Sequence, residues 1–347
     1  MDTKIFDLRN ENEYNKALDA AACSVKNGGI VVFPTETVYG LGADAFNAEG
    51  VKKIFEAKGR PCDNPLIVHI ADWEDIFLVC DNISDDALKL ARAFMPGPIS
   101  IVMHQKGGIA QNVTAGLSTV AVRCPAKKEA HDFIKACGVP IAAPSANISG
   151  KPSPTKAEHV IKDMKGKADV ILLADDAQVG LESTVVDMSS DVCAILRPGA
   201  VSADMLRAVL GKEVKEAYKQ KLAGSPKAPG MKYRHYKPDS YIVTVHGGVK
   251  AAQEYINKRL AEGGAEPDRT ACIVFNEAED ISCKNIYYLG SESSPETAAA
   301  SLFAALRLCD ENNIALAFVM STRSGGIGDA YINRLHKASD EIIMLEN

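Results

Sequence analysis

Pro34-Thr35-Glu36-Thr37-Val38-Tyr39-Gly40-Leu41-Gly42 crowds hydroxyls, one carboxylate and two glycines onto the end of the apolar run 30–33. Proline cannot continue a central ladder, and glycine admits a tight turn or the close approach of a ligand to backbone. In open α/β sheets ligands bind outside strand ends. The segment therefore reads as a binding loop at the mouth of a sheet, with an ordinary strand-to-turn junction as the alternative. The same construction recurs. Ala142-Ala143 runs into Pro144-Ser145-Ala146-Asn147-Ile148-Ser149-Gly150, where Ser145 and Asn147 can hydrogen-bond a ligand without filling its space, and Ser153 follows in a proline-rich turn. Glu182-Ser183-Thr184 places hydroxyls at a strand start, and Leu196-Arg197-Pro198-Gly199 ends another strand with a cation.

Cations complete the inventory. Lys58-Gly59-Arg60-Pro61 precedes Asn64-Pro65 and the apolar run 66–70. An arginine fork and a lysine point charge two residues apart suit phosphate oxygens; they equally suit a helix C-terminus. His69 alternates with apolar neighbours, the usual setting of a core histidine, yet near a strand's end where a ligand could reach it. In 118–125, Thr119, Ala121 and Arg123 share one face of a strand. A buried arginine needs an anion, either a structural carboxylate or that of a ligand. No G-x-S-x-G elbow, H-E-x-x-H pair or metal-ligand cluster occurs in the sequence. Hydroxyls, amides and cations suit a nucleotide and a small zwitterion, with catalysis by positioning and charge stabilisation.

These groups need a sheet to hold them. The chain has 347 residues, more than one core usually supports, so two domains are expected. Strand-length apolar runs at 30–33, 66–70, 99–103, 119–123, 140–143, 170–174, 183–187 and 193–196 are interspersed with helical patterns at 12–26, 47–58, 84–94 and 202–210. Strands that follow strands directly predict a mixed sheet. Composition changes at 212–230, where a charged stretch and a Gly/Pro/Ser tract read as a linker. Met231-Lys232-Tyr233-Arg234-His235-Tyr236-Lys237-Pro238 is too aromatic and basic for an inert tether; it either docks the linker or closes over an anionic ligand. From 240, strands at 241–245, 271–275, 286–289, 314–320 and 342–345 alternate with helices at 249–261, 295–312 and 329–337, predicting a small three-layer α/β domain. Its turn Ser324-Gly325-Gly326-Ile327-Gly328 precedes a helix and is a weak candidate anion cradle.

The net charge of −6 favours a small-molecule partner over nucleic acid. Nine cysteines without C-x-x-C spacing argue against a disulfide scaffold or zinc module. No apolar run approaches the roughly 20 residues a membrane helix needs, and Met1-Asp2-Thr3-Lys4 opens a polar stretch. Cytoplasmic residence is expected.

Taken together, P-T-E-T-V-Y-G-L-G, K-G-R-P with N-P-L-I-V-H-I, S-T-V-A-V-R-C-P, A-P-S-A-N-I-S-G, E-S-T-V-V-D and L-R-P-G resemble the YrdC-like family. P-G-M-K-Y-R-H-Y-K-P and G-I-G-D-A-Y-I-N-R-L-H-K-A extend the resemblance to its long, two-domain form. The resemblance implies a YrdC-like catalytic domain with a twisted mixed sheet over 1–210. It implies a linker over 211–239 able to close over the site, and a Rossmann-like domain over 240–347. It implies that L-threonine, bicarbonate or CO2 and ATP give threonylcarbamoyl-AMP and pyrophosphate, with Mg2+. A partner complex would then pass the threonylcarbamoyl group to the adenosine beside the anticodon of tRNA, with weak tRNA contact by this chain a further expectation. By the same resemblance Thr37, His69, Arg123 and Ser183 hold L-threonine. Arg60, Asn64, Thr119, Ser145, Ser153 and Arg197 contact ATP. Lys58 and Asn147 face the phosphates, Lys58 and Arg60 are the catalytic pair, and Arg234 and His235 cap ATP. Ala143 stands where some relatives carry threonine, so a side-chain contact there is lost.

Two rival readings remain. An RNA-binding module without catalysis conflicts with the acidic balance. A carbamoyl-transfer protein of the hydrogenase-maturation type would add an acylphosphatase-like region and zinc-finger cysteines, which this sequence lacks.

Overall fold

The computed structural model describes residues 2–220, 235–263 and 266–345. They form two compact units. The first holds a ten-stranded sheet: β1 (Lys4–Asp7), β2 (Val31–Phe33), β3 (Gly40–Asp44), β4 (Ile67–His69), β5 (Ile99–His104), β6 (Thr119–Arg123), β7 (Ile141–Ala143), β8 (Val170–Leu173), β9 (Thr184–Asp187) and β10 (Ala194–Arg197). The spatial order is β1-β8-β2-β3-β7-β4-β6-β5-β9-β10. Parallel pairs (β1–β8, β2–β8, β4–β6, β5–β9) mix with antiparallel ones (β2–β3, β3–β7, β4–β7, β5–β6, β9–β10), as the expected mixed sheet requires.

Helices cover this sheet for reasons visible in the chain. Helix Tyr14–Lys26 buries Ala17, Leu18, Ala21, Ala22 and Val25, the 3–4 spacing of one helical face. Helix Ala48–Lys58 starts where the Asn47 side chain accepts the Gly50 N–H, and stops at Gly59 in the left-handed region, φ +61°. That stop places Lys58 in the last turn. Ser84 caps helix Asp85–Phe94 in the same way.

Two departures from the sequence reading bear on the site. Gly40 and Gly42, read as admitting a tight turn or the close approach of a ligand, lie inside β3, antiparallel to β2. A Cβ on Gly40 would come within 2.9 Å of the Phe33 ring, and one on Gly42 within 2.5 Å of Ile141. The glycines are there so that the Phe33 ring can lie across the strand. In addition, the structure contains β1 and the helices Lys128–Cys137 and Ala157–Met164, which the sequence pattern does not mark.

The second unit has a five-stranded, all-parallel sheet: β11 (Tyr241–His246), β12 (Thr270–Val274), β13 (Asn285–Tyr288), β14 (Leu316–Met320) and β15 (Glu341–Met344), ordered β13-β12-β14-β11-β15. Helices Val249–Ala261, Pro295–Glu311 and Ile327–Ala338 connect successive strands, except that β13 follows β12 with no helix between them. By contacts, Gly150–Pro152 and Val179–Leu181 group with this unit. At the glycine-rich turn the Gly325 N–H donates to Asp329, so a carboxylate of the chain itself takes up part of the anion cradle read from the sequence. No helix among the described residues is long and apolar enough to cross a membrane. All nine cysteines are free thiols, six of them buried.

Candidate active site

The loops that leave β2 and β7 and those that enter β4 and β9, with the end of helix Ala48–Lys58 and strands β4, β6 and β10, carry the candidate residues of the first unit. Backbone bonds stitch the loops that follow β2 and β7 together, with β3 between them: Leu41 N–H donates to Pro144 O (3.0 Å), Ala146 N–H to Tyr39 O (2.8 Å) and Tyr39 N–H to Pro154 O (2.9 Å). The Tyr39 hydroxyl, donating to Ala174 O and accepting from Ala174 N, pins the loop from below. Burial pushes that phenol up to about 12.

Lys58 is 2% exposed and points into the 145–147 loop. Its Nζ donates to Ser145 O (2.5 Å), to Asn147 O, and to Asn147 Oδ1 (3.4 Å). Ser145 Oγ donates to the same Asn147 Oδ1 at 2.5 Å. Lys58, Ser145 and Asn147, distant in sequence, are thus one cluster. Arg60 Nη2 donates to the carbonyls of Asn64 (3.3 Å) and Pro65 (3.2 Å). Asn64 is buried, and its Oδ1 has no hydrogen-bond partner among the described residues.

A second cluster gathers where β4 and β6 run parallel with His69 opposite Arg123. His69 is buried; its Nδ1 bonds Ile67 O at 3.1 Å, and Phe33 meets the ring edge-on at 5.7 Å. Burial, and then the charge of Arg123, push the imidazole down to about 3, so it is neutral at physiological pH. Arg123 Nη2 donates to Glu36 Oε1 at 2.8 Å, in an ion pair buried on both sides. Glu36 Oε2 accepts the Ala126 N–H at 3.1 Å. Arg123 Nε is buried without a partner among the described residues. Thr37 is buried too, its Oγ1 2.9 Å from that of Thr35, which also bonds Val38 O.

A third cluster joins residues assigned to different ligands. Arg197 donates from Nε to Ser183 O (3.1 Å) and from Nη2 to Ser183 Oγ (3.2 Å), while Ser100 Oγ lies 2.8 Å from Ser183 Oγ. Ser153 Oγ donates to Glu182 Oε1 at 2.6 Å. Thr119 is buried at the start of β6, on the face of Arg123. Ala143 pairs with Ile67 across β7 and β4.

His235 belongs to the second unit, its ring 5.6 Å from that of Tyr236. Arg234 lies outside the described residues. Sequence reasoning gave no role to Glu36, Ser100 or Glu182. Only Glu36 left a signal: it stood inside the motif, and Arg123 needed an anion.

No group of three or more His, Cys, Asp or Glu able to hold a metal lies among the described residues. The donor set fits Mg2+ only as an ion carried on nucleotide phosphates, the habit of that hard cation.

Fold and site together define an α/β enzyme of nucleotidyltransferase type. Residues 23–199 match the family described as telomere recombination, which groups the Sua5, YciO and YrdC proteins. Residues 201–340 match the one described as threonylcarbamoyl-AMP synthase, C-terminal domain. The chain is 40% identical to the threonylcarbamoyl-AMP synthase of Pyrococcus abyssi over 97% of its own length and 98% of the relative's. It is also 40% identical to that of Bacillus subtilis over 92% of each. The crystal structure of P. abyssi Sua5 complexed with L-threonine superposes with a TM-score of 0.89 at 39% identity, covering all of both chains. The chain belongs to the threonylcarbamoyl-AMP synthase family, in its two-domain form.

Proposed function

We propose that the first unit condenses L-threonine, bicarbonate or CO2 and ATP into threonylcarbamoyl-AMP and pyrophosphate, with Thr37, His69, Arg123 and Ser183 holding threonine. The threonine amine attacks carbon dioxide, forming the N–C bond and giving its proton to bicarbonate or water. A carbamate oxygen then attacks the α-phosphorus and the bond to pyrophosphate breaks. Arg60, Asn64, Thr119, Ser145, Asn147, Ser153 and Arg197 hold ATP. Lys58 and Arg60 stabilise charge on the phosphoryl oxygens in transit, as positioned cations do in phosphoryl transfer. Mg2+ carried on the triphosphate would neutralise further charge. In this reading 1–210 is the catalytic domain, 211–239 the linker, with Arg234 and His235 closing over ATP, and 240–347 the second domain. The product passes to a transferase complex acting on tRNA in the cytoplasm.

The observation that carries the reading is the Arg123–His69–Thr37 cluster. One buried guanidinium with a vacant Nε donor stands beside an uncharged imidazole and a buried hydroxyl. That combination suits an amino acid bearing a carboxylate and a hydroxyl.

The test is pyrophosphate release from ATP by the purified protein, with L-threonine, bicarbonate and Mg2+ omitted in turn and the adduct followed by mass. Release that needs every component, with the adduct present, is expected. ATP binding without threonine-dependent release overturns the reading.

A further inference from the structure

Glu36 carries two donors at once. Its Oε1 accepts from Arg123 Nη2 and its Oε2 from the Ala126 N–H, at 2.8 and 3.1 Å. Carboxylate and guanidinium are both buried, 9% and 4% exposed at the side chain. Three segments meet there: the 34–39 loop that carries Thr37, the end of β6, and the chain leaving β6 through Cys124-Pro125. Through the β4–β6 register the same ion pair lies beside His69. One carboxylate therefore ties the loop that carries Thr37 to Arg123 and to the chain just beyond it.

We infer that Glu36 is the positioning residue of the amino-acid site. It sets the plane and charge of Arg123 and takes no proton itself. This rests on the reading that Arg123 holds the substrate carboxylate. The chemistry of the two bonds excludes substitution by an amide. A carboxylate accepts at both oxygens, whereas a glutamine presents one acceptor and one NH2. Whichever way that amide turns, its NH2 faces either the Arg123 guanidinium or the Ala126 N–H, donor against donor. The guanidinium then loses its register, and a misplaced binding group costs on the order of 10- to 100-fold.

The experiment is steady-state kinetics on Glu36→Gln in the full chain, with Arg123→Met as reference. Glu36→Asp, which keeps both acceptor oxygens, serves as the second variant if Glu36→Gln does not fold. Expected for Glu36→Gln is a threonine KM raised on the order of tenfold or more. The ATP KM and saturated kcat stay within a few-fold, and the pH–rate profile is unchanged. Glu36→Asp raises the threonine KM less. A threonine KM that stays the same or falls overturns the inference, because Glu36 would then be idle or competing with substrate. A collapse of kcat with a lost acid limb overturns it in favour of a proton-accepting role. If Arg123→Met itself leaves the threonine KM unchanged, the underlying site reading fails. If Arg123→Met raises it and both Glu36 variants do not, only the role of Glu36 fails.

Discussion

Replacing His69 by glutamine should remove a specific part of the protein's acid sensitivity. In the folded chain burial and the neighbouring Arg123 hold the imidazole near 3, against an ordinary value of 6.5. Between those two values the unfolded chain binds a proton at this residue and the folded chain does not. Stability from this group is therefore complete above about pH 6.5 and falls as pH drops towards 3. At pH 5 the unfolded histidine is almost wholly protonated, which costs about 2 kcal/mol relative to pH 7.5. The measurement is urea unfolding at pH 7.5 and 5.0. It is followed by the fluorescence of Trp73, the chain's one tryptophan, which lies in the first unit. Wild type should lose about 2 kcal/mol more than His69→Gln on acidification, since other titrating groups cancel in the difference. Equal losses in the two proteins would show that His69 titrates normally, and the picture of an uncharged imidazole beside Arg123 would fall.

Lys58→Met should abolish turnover and also loosen the 145–147 loop. It strips a donor from the half-buried carbonyl of Ser145 and the buried one of Asn147, the latter at about 1–3 kcal/mol, read by unfolding and by pyrophosphate release. Arg197→Lys cannot reproduce the paired Nε and Nη2 bonds to Ser183, so the KM values for ATP and threonine should rise together; a rise for ATP alone would separate Arg197 from the threonine site. Tyr39→Phe loses the bonds to Ala174 O and N, destabilising by about 1–3 kcal/mol in unfolding experiments while kcat is largely kept.

Much of this architecture can be read in the chain because strands buried on both faces are written as short runs of Val, Ile and Leu. The runs at 119–123 and 170–174 became β6 and β8 within a residue. What periodicity could not show is instructive. The strand β3 contains two glycines, which by propensity belong in a turn; tertiary packing of Phe33 and Ile141 against them overrides that preference. β1 is a four-residue edge strand with no buried side chain, too weak a pattern to stand out. At the site, the types Lys58, Arg60, Arg123 and Arg197 were legible as cations awaiting anions. Their partners were not, because carbonyls of Ser145, Asn147, Asn64 and Ser183 carry no side-chain signature. Glu36 alone could have been paired with Arg123 from sequence logic, since a strand arginine demands a carboxylate.

The clusters differ in how their charges are held, and on the proposed assignment that difference follows the two substrates. The bonds described for Lys58, Arg60 and Arg197 go to backbone carbonyls and to the side-chain oxygens of Asn147 and Ser183, which orient each cation. A triphosphate needs such positive charge aimed at its oxygens. At the amino-acid end Arg123 is matched by Glu36 and His69 is neutral, so the three groups sum to no net charge. A zwitterion brings none either, and enters such a pocket without leaving a buried charge uncompensated. An amino acid stripped of its carboxylate, or one whose amine is capped, upsets that balance. Threoninol and N-acetylthreonine should therefore both compete poorly with L-threonine. Threoninol leaves the vacant Arg123 Nε unfilled; N-acetylthreonine adds a carboxylate with no ammonium to offset it. Effective competition by either compound would mean that Arg123 and Glu36 do not meet the substrate as a neutral pair.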